Sequence, residues 1–138
     1  MTLSNVLLTD SDDATGSKNG RGIRVLLAED DRAVRRLLEV VLERAGYEVI
    51  AAADGLEAMK LALSSPINIL ITDAMMPNLN GHELCRFMRN SETLSHVPII
   101  LLSGLEKQGS DGQADAFLTK PVSSEILIEC VEKLLAGK

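Results

Sequence analysis

Aromatic side chains are almost missing from this chain: among 138 residues there are one tyrosine, two phenylalanines and no tryptophan. Tyr47, Phe87 and Phe117 are too few to build the stacking platforms that hold single-stranded nucleic acid. Positive charge is also short, with 14 Lys and Arg against 20 Asp and Glu and a formal net charge of −6. A surface that grips phosphate backbones needs a basic surplus, so nucleic acid is not expected as a direct partner. No run of 18 or more apolar residues occurs, which leaves no candidate for a membrane-inserted helix. The N-terminus has no basic stretch followed by a long apolar core, since Val6-Leu7-Leu8 is too short for a secretory signal. Cys85 and Cys130 lie in unrelated segments without metal-type spacing. They read as small buried hydrophobes of a reducing compartment, and the cytoplasm is the expected location.

What is present describes one ordinary domain, 46% hydrophobic and 25% charged. A chain of this size buries enough surface to fold without disulfides or a structural metal. Residues 1–22 are polar and rich in Gly, Ser, Asn and Asp, and are expected to form a flexible tail. Within them Val6-Leu7-Leu8-Thr9-Asp10 echoes Val25-Leu26-Leu27-Ala28-Glu29, but no helical pattern follows the first copy, so this is not a repeat.

From Ile23 onward, short apolar runs alternate with helical periods. Strands are expected at 23–28, 47–53, 67–72, 97–102 and 116–119. Val34, Leu37, Leu38, Val41, Leu42 and Ala45 make one apolar face of a first helix, stopped at Gly46, with Asp31 as its N-cap. A second helix runs from Gly55 to Ser64 behind Asp54, and a third from Gly81 to Arg89. Ser123 or Ser124 caps a last helix that is expected to bury Ile126, Leu127, Cys130, Val131, Leu134 and Leu135. Apolar strands alternating with helices imply a parallel sheet covered on both faces, with all strand C-termini at one edge. Sites in such sheets lie at that edge, where the strand order reverses.

The polar residues there are unevenly distributed. The first strand ends in Glu29-Asp30-Asp31, the third in Asp73, the fourth in Ser103 and the fifth in Lys120-Pro121. The second ends in Ala52-Ala53, with nothing reactive. Carboxylates brought together repel unless a cation sits among them, and oxygen ligands with room for water suit Mg²⁺. A hydroxyl and an ammonium opposite them suit a phosphoryl group. The set is an arrangement for moving phosphate onto an aspartate. Simpler roles compete at several positions. Asp31 reads better as a helix cap than as a ligand, and Phe117 serves equally as core or as a moving part. His82 and His96 have no nucleophile at useful spacing and read as surface residues.

The segments Val25-Leu26-Leu27-Ala28-Glu29-Asp30-Asp31, Ala53-Asp54-Gly55, Ile71-Thr72-Asp73-Ala74-Met75-Met76-Pro77-Asn78-Leu79-Asn80-Gly81, Ile99-Ile100-Leu101-Leu102-Ser103-Gly104 and Phe117-Leu118-Thr119-Lys120-Pro121 follow one another in order. Together they resemble the receiver domain of two-component response regulators, of the chemotaxis-regulator type, over residues 23–138. The resemblance implies a flavodoxin-like, doubly wound, five-stranded parallel sheet of order 2-1-3-4-5. It implies that Asp73 accepts phosphate from a histidine kinase or a histidine phosphotransfer protein. Glu29, Asp30, Asp73 and the backbone carbonyl of Met75 would hold Mg²⁺, Ser103 and Lys120 would bind the phosphoryl group, and Phe117 would reorient. Pro77, Gly81 and Pro121 would shape the site, with Pro121 making a rigid bond, cis or trans, that aims Lys120. The output would be a changed surface for a downstream protein target rather than catalytic turnover. With 1–22 as tail, nothing is left for an output domain.

Two alternatives remain open at this point. One is a pseudo-receiver that binds a partner regardless of phosphate. The other is a Mg²⁺-dependent phosphohydrolase, which would need a lid insertion that the sequence does not hold. The chain also departs from the family between Ser103 and Lys120, where 16 residues include Gly104, Gly109 and Gly112. Each glycine costs a helix about 1 kcal/mol relative to alanine, so the fourth helix of the family is expected to be short or missing. Met75 and Leu105 stand where family members line the path of the attacking water, and neither can orient it. Slow loss of the phosphoryl group is the expectation.

Overall fold

The computed structural model describes residues 22–104 and 113–137. Five strands and four helices alternate among them: β1 (Arg24–Ala28), α1 (Arg32–Arg44), β2 (Glu48–Ala52), α2 (Gly55–Ser64), β3 (Ile69–Asp73), α3 (Gly81–Asn90), β4 (Ile99–Ser103), β5 (Ala116–Thr119) and α4 (Ser124–Ala136). The strands form one sheet in the order β2-β1-β3-β4-β5, every neighbouring pair parallel. This is the doubly wound order 2-1-3-4-5, with the reversal between β1 and β3.

Each helix starts where a short polar side chain satisfies free amides. Asp31 accepts from Val34 N, Asp54 from Glu57 N and Ser123 from Ile126 N. Asn80 and Glu83 form a reciprocal capping box at α3. Pleat alternation divides the central strands between two apolar layers. Leu26, Leu70, Ile99 and Leu101 pack with Ala58 and Ala62 of α2 and Leu84, Cys85 and Met88 of α3. Val25, Leu27, Ile69, Ile71, Ile100 and Leu102 pack with Leu38 and Leu42 of α1 and Leu127 and Val131 of α4. β3 and β4 lie inside the sheet and are buried at every residue, as continuous apolar runs require.

Two expectations change, and one alternative left open by the sequence closes. The expected buried stripe of α1 is too wide, since Leu37 is 61% exposed. At the start of α4, Ile126 is 51% exposed instead of buried. A helix lying on a sheet covers only the residues along its line of contact, and these two lie beyond it. Phe117 is not core either: β5 is an edge strand, and this side chain is 42% exposed. Cys85 is buried as expected, and Cys130 partly so. The expected loss of a helix before β5 falls on residues 105–112, and the expected tail on residues 1–21, both outside the described residues.

Candidate functional site

β1 and β3 run side by side and end at the same edge, so Glu29, just past β1, and Asp73, the last residue of β3, come together there. Glu29 is wholly buried. Its backbone N–H continues the ladder to Ala52 O at 3.0 Å, which points the chain into the turn before α1. Its Oε2 accepts from Asp31 N at 3.1 Å, and its carbonyl accepts from Arg35 Nη1 at 2.8 Å. Asp73 is 6% exposed, and its Oδ1 accepts from Met75 N at 3.4 Å. Asp30 is exposed beside them.

Lys120 arrives from the other side. β4 and β5 pair Ser103 with Thr119, and Lys120 N donates to Ser103 O at 2.8 Å. The next bond, Lys120–Pro121, is cis. The Lys120 ammonium sits 3.1 Å from Asp73 Oδ2 and 3.3 Å from Glu29 Oε1. Ser103 itself is buried at the strand end, 7% exposed. Gly81 opens α3 directly against the Asp73 backbone, where a Cβ would collide with the Asp73 carbonyl, and Gly81 N donates to Ala74 O at 2.9 Å. Met75 stands in the intervening loop, 73% exposed, and Pro77 supplies the carbonyl that Leu79 N bonds at 2.8 Å.

The electrostatics are unbalanced. Carboxylate oxygens of Glu29, Asp30 and Asp73 all lie within 4.8 Å of one another. Burial, aided by the charge of Asp73, raises the Glu29 carboxyl above the ordinary carboxylate range against the opposing pull of Asp31 N–H and Lys120. For Lys120, burial alone would lower the ammonium, but its bonds and attraction to Asp73 and Glu29 outweigh this and raise it. Two of the three carboxylates, Glu29 and Asp73, therefore share one ammonium, and Asp30 adds a further negative charge beside them. An all-oxygen set with surplus negative charge and one exposed member fits a hard divalent cation, and Mg²⁺ in particular.

The structure thus brings Glu29, Asp30, Asp73 and Lys120 together, with Ser103 and Met75 joined to them through backbone contacts. Phe117 pairs with Leu101, two residues before the sheet edge, and Leu105 is outside the described residues. One contributor was not legible in the sequence. Arg35 falls on the polar side of the α1 pattern, where arginines are ordinarily solvated, yet it holds the Glu29 carbonyl. No periodicity marks such a residue.

A parallel 2-1-3-4-5 sheet with an acid cluster and a lysine at the switch point defines a two-component receiver. The sequence matches the family described as "Response regulator receiver domain" over residues 25–132, and the chain belongs to that family. Protein PilG of Pseudomonas aeruginosa is 32% identical over 116 residues, which cover 80% of this chain and 86% of PilG. The DNA-binding transcriptional regulator RpaA of Synechocystis is 34% identical over 117 residues, covering 81% of this chain and 48% of RpaA. The chain thus spans less than half of RpaA but most of PilG. Among solved structures, the response regulator TrrA of Thermotoga maritima, in complex with Mg²⁺-BeF, is similar with a TM-score of 0.75 and 32% identity, covering 81% of this chain and 98% of that one.

Proposed function

We propose that Asp73 is the phosphoacceptor of a His–Asp relay. A carboxylate oxygen of Asp73 attacks the phosphorus of a phosphohistidine on a histidine kinase or phosphotransfer protein. The P–N bond breaks, the imidazole leaves with its electron pair and takes up a proton, and an acyl phosphate remains on Asp73. Glu29, Asp30, Asp73 and the Met75 carbonyl would hold Mg²⁺. The cation, when bound, neutralises charge on the phosphoryl oxygens. Lys120 exchanges its bond to Asp73 Oδ2 for one to a phosphoryl oxygen, and the Ser103 hydroxyl donates to another. That pull on β5, with reorientation of the exposed Phe117, alters a surface read by a downstream protein. The role is that of a switch and not of a turnover enzyme.

The observation that carries this reading is the Lys120 ammonium held between Asp73 and buried Glu29 at 3.1 and 3.3 Å. A phosphorylation-independent binding module would have no use for that triad. The test is mass measurement after treatment with Mg²⁺ and a small acyl phosphate. Wild type should gain one phosphate and Asp73→Asn none; gain by both, or by neither, overturns the proposal. Met75 offers the departing group's water no polar contact, so Met75→Asn should speed loss of phosphate several-fold, followed by the same mass shift over time. Equal rates would remove Met75 from the account.

A further inference from the structure

The end of β2 carries nothing reactive, yet the turn after it reaches the site. Asp54 divides its carboxylate between two loops: Oδ1 caps α2 at Glu57 N, 2.8 Å away, and Oδ2 accepts from Asn78 Nδ2 at 3.1 Å, across 24 residues of chain. Asn78 belongs to the loop between β3 and α3, the loop of Met75. Among the described residues it is the one non-glycine with positive φ, at 71°. Asparagine tolerates that left-handed backbone better than most side chains do. Alongside, Gly55 packs so closely on Leu79 that a Cβ there would collide with the Leu79 carbonyl. Glu57 Oε1 in turn accepts from Ala53 N at 2.8 Å, which fixes the Asp54 side of the contact. The loop from Ala74 to Asn80 is therefore held at its base by Gly81 N to Ala74 O, and at its tip by Asp54 and Gly55.

We infer that Asp54 and Asn78 form a tether that positions the Met75 backbone against Asp73, making both of them positioning residues for phosphoryl acceptance. The inference rests on the phosphoacceptor reading above for its consequence, but its geometry does not. Met75 presents its N–H to Asp73 Oδ1 at 3.4 Å, a long bond that depends on how the loop is drawn across the site. Its carbonyl, the candidate cation ligand, belongs to the next peptide plane along the same loop. Pulling on Asn78 moves both groups. The hydrogen bonds that Asp54 accepts also keep its carboxyl ionised below its ordinary value, Glu57 N–H first and Asn78 among the rest, so the tether keeps a charged acceptor.

The experiment separates the side chain from the backbone. Asn78→Gly keeps the left-handed backbone and removes the amide. Asn78→Asp sets two carboxylates against each other, and the exchange Asp54→Asn with Asn78→Asp restores one donor and one acceptor. Amide hydrogen exchange is measured without cation or phosphodonor, and phosphorylation rate is measured with Mg²⁺ and a small acyl phosphate. In Asn78→Gly and Asn78→Asp the Met75 amide should exchange about five-fold faster and phosphorylation should slow by a similar factor, as loss of one ordinary hydrogen bond implies. Amides within the sheet should not change, and the double exchange should return both readouts to within about two-fold of wild type. A tether acting only on stability would speed exchange throughout α2 and β3 instead. Unchanged Met75 exchange in both single variants overturns the inference. Faster Met75 exchange in a protein whose wild type takes no phosphate leaves the tether standing and sinks the phosphoacceptor reading.

Discussion

At the amino edge of the sheet, Arg89 directs its donors at four fixed acceptors, whereas at the carboxyl edge one lysine is shared between two carboxylates of a cluster of three. Arg89, in the last turn of α3, donates to Gln113 O, Ser95 O and Val97 O at 2.9, 3.1 and 2.8 Å and pairs with Asp115 at 2.7 Å. The same Asp115 oxygen accepts from Ile99 N at 2.8 Å. That network binds the starts of β4 and β5 to α3, and its charges are matched. The acid cluster at the other edge is matched only in part, and its buried member is harder to ionise than an ordinary glutamate. Charge that is balanced locally serves the fold; charge left over in a cleft is available to a ligand.

Removing a charge should therefore have opposite signs at the two edges. The largest effect is expected for Arg89→Met, which strands several carbonyls and Asp115 and should lower unfolding free energy by about 3 kcal/mol in urea titration. A loss below about 1 kcal/mol would make the amino edge no more structural than the other. Next comes cation addition. At ten times its Kd, Mg²⁺ should raise wild-type stability by about 1.4 kcal/mol and a chelator should reverse this. Asp30→Asn should blunt the gain, and a gain of the same size in Asp30→Asn would detach the cation from the cluster. The smallest effect is Glu29→Gln in chelator at neutral pH, expected to stabilise by about 1 kcal/mol because a strained buried charge is gone. Glu29 has its proton affinity raised in the fold, so the folded state is favoured by protonation below the ordinary value of 4.5 and loses that advantage as pH climbs through the folded-state value. The gap between variant and wild type should thus close on acidification through that window. A gap that widens there would assign the raised affinity to another group.

The alternation of strands and helices was plain in the sequence because burial on both faces forces apolar runs, and β3 and β4 are as apolar as that demands. The carboxyl-edge residues were legible for a topological reason: in a parallel sheet, whatever follows a strand lands on one edge. Long polar reaches were not legible. Arg89 and Asp54 act on groups 24 residues along the chain, and Arg35 on a main-chain carbonyl in the turn before its own helix, which no local period records. Leu37 and Ile126 are more exposed than their apolar faces imply, because a pattern reports which side a residue faces, not how far the neighbouring element extends. Strand starts at β3 and β4 fell two residues later than expected, since apolar residues leading into a strand look like the strand itself.

The reach of Lys120 bears on how the molecule is made. Its two ion pairs close over 47 and 91 residues, to Asp73 and Glu29. As the chain leaves the ribosome, all three acids emerge long before this lysine, and the ammonium can reach Glu29 and Asp73 only when the last strand has docked beside β4. A nascent or partly folded molecule therefore presents its carboxylates without their counter-charge, so the ion-paired site is assembled only together with completion of the sheet.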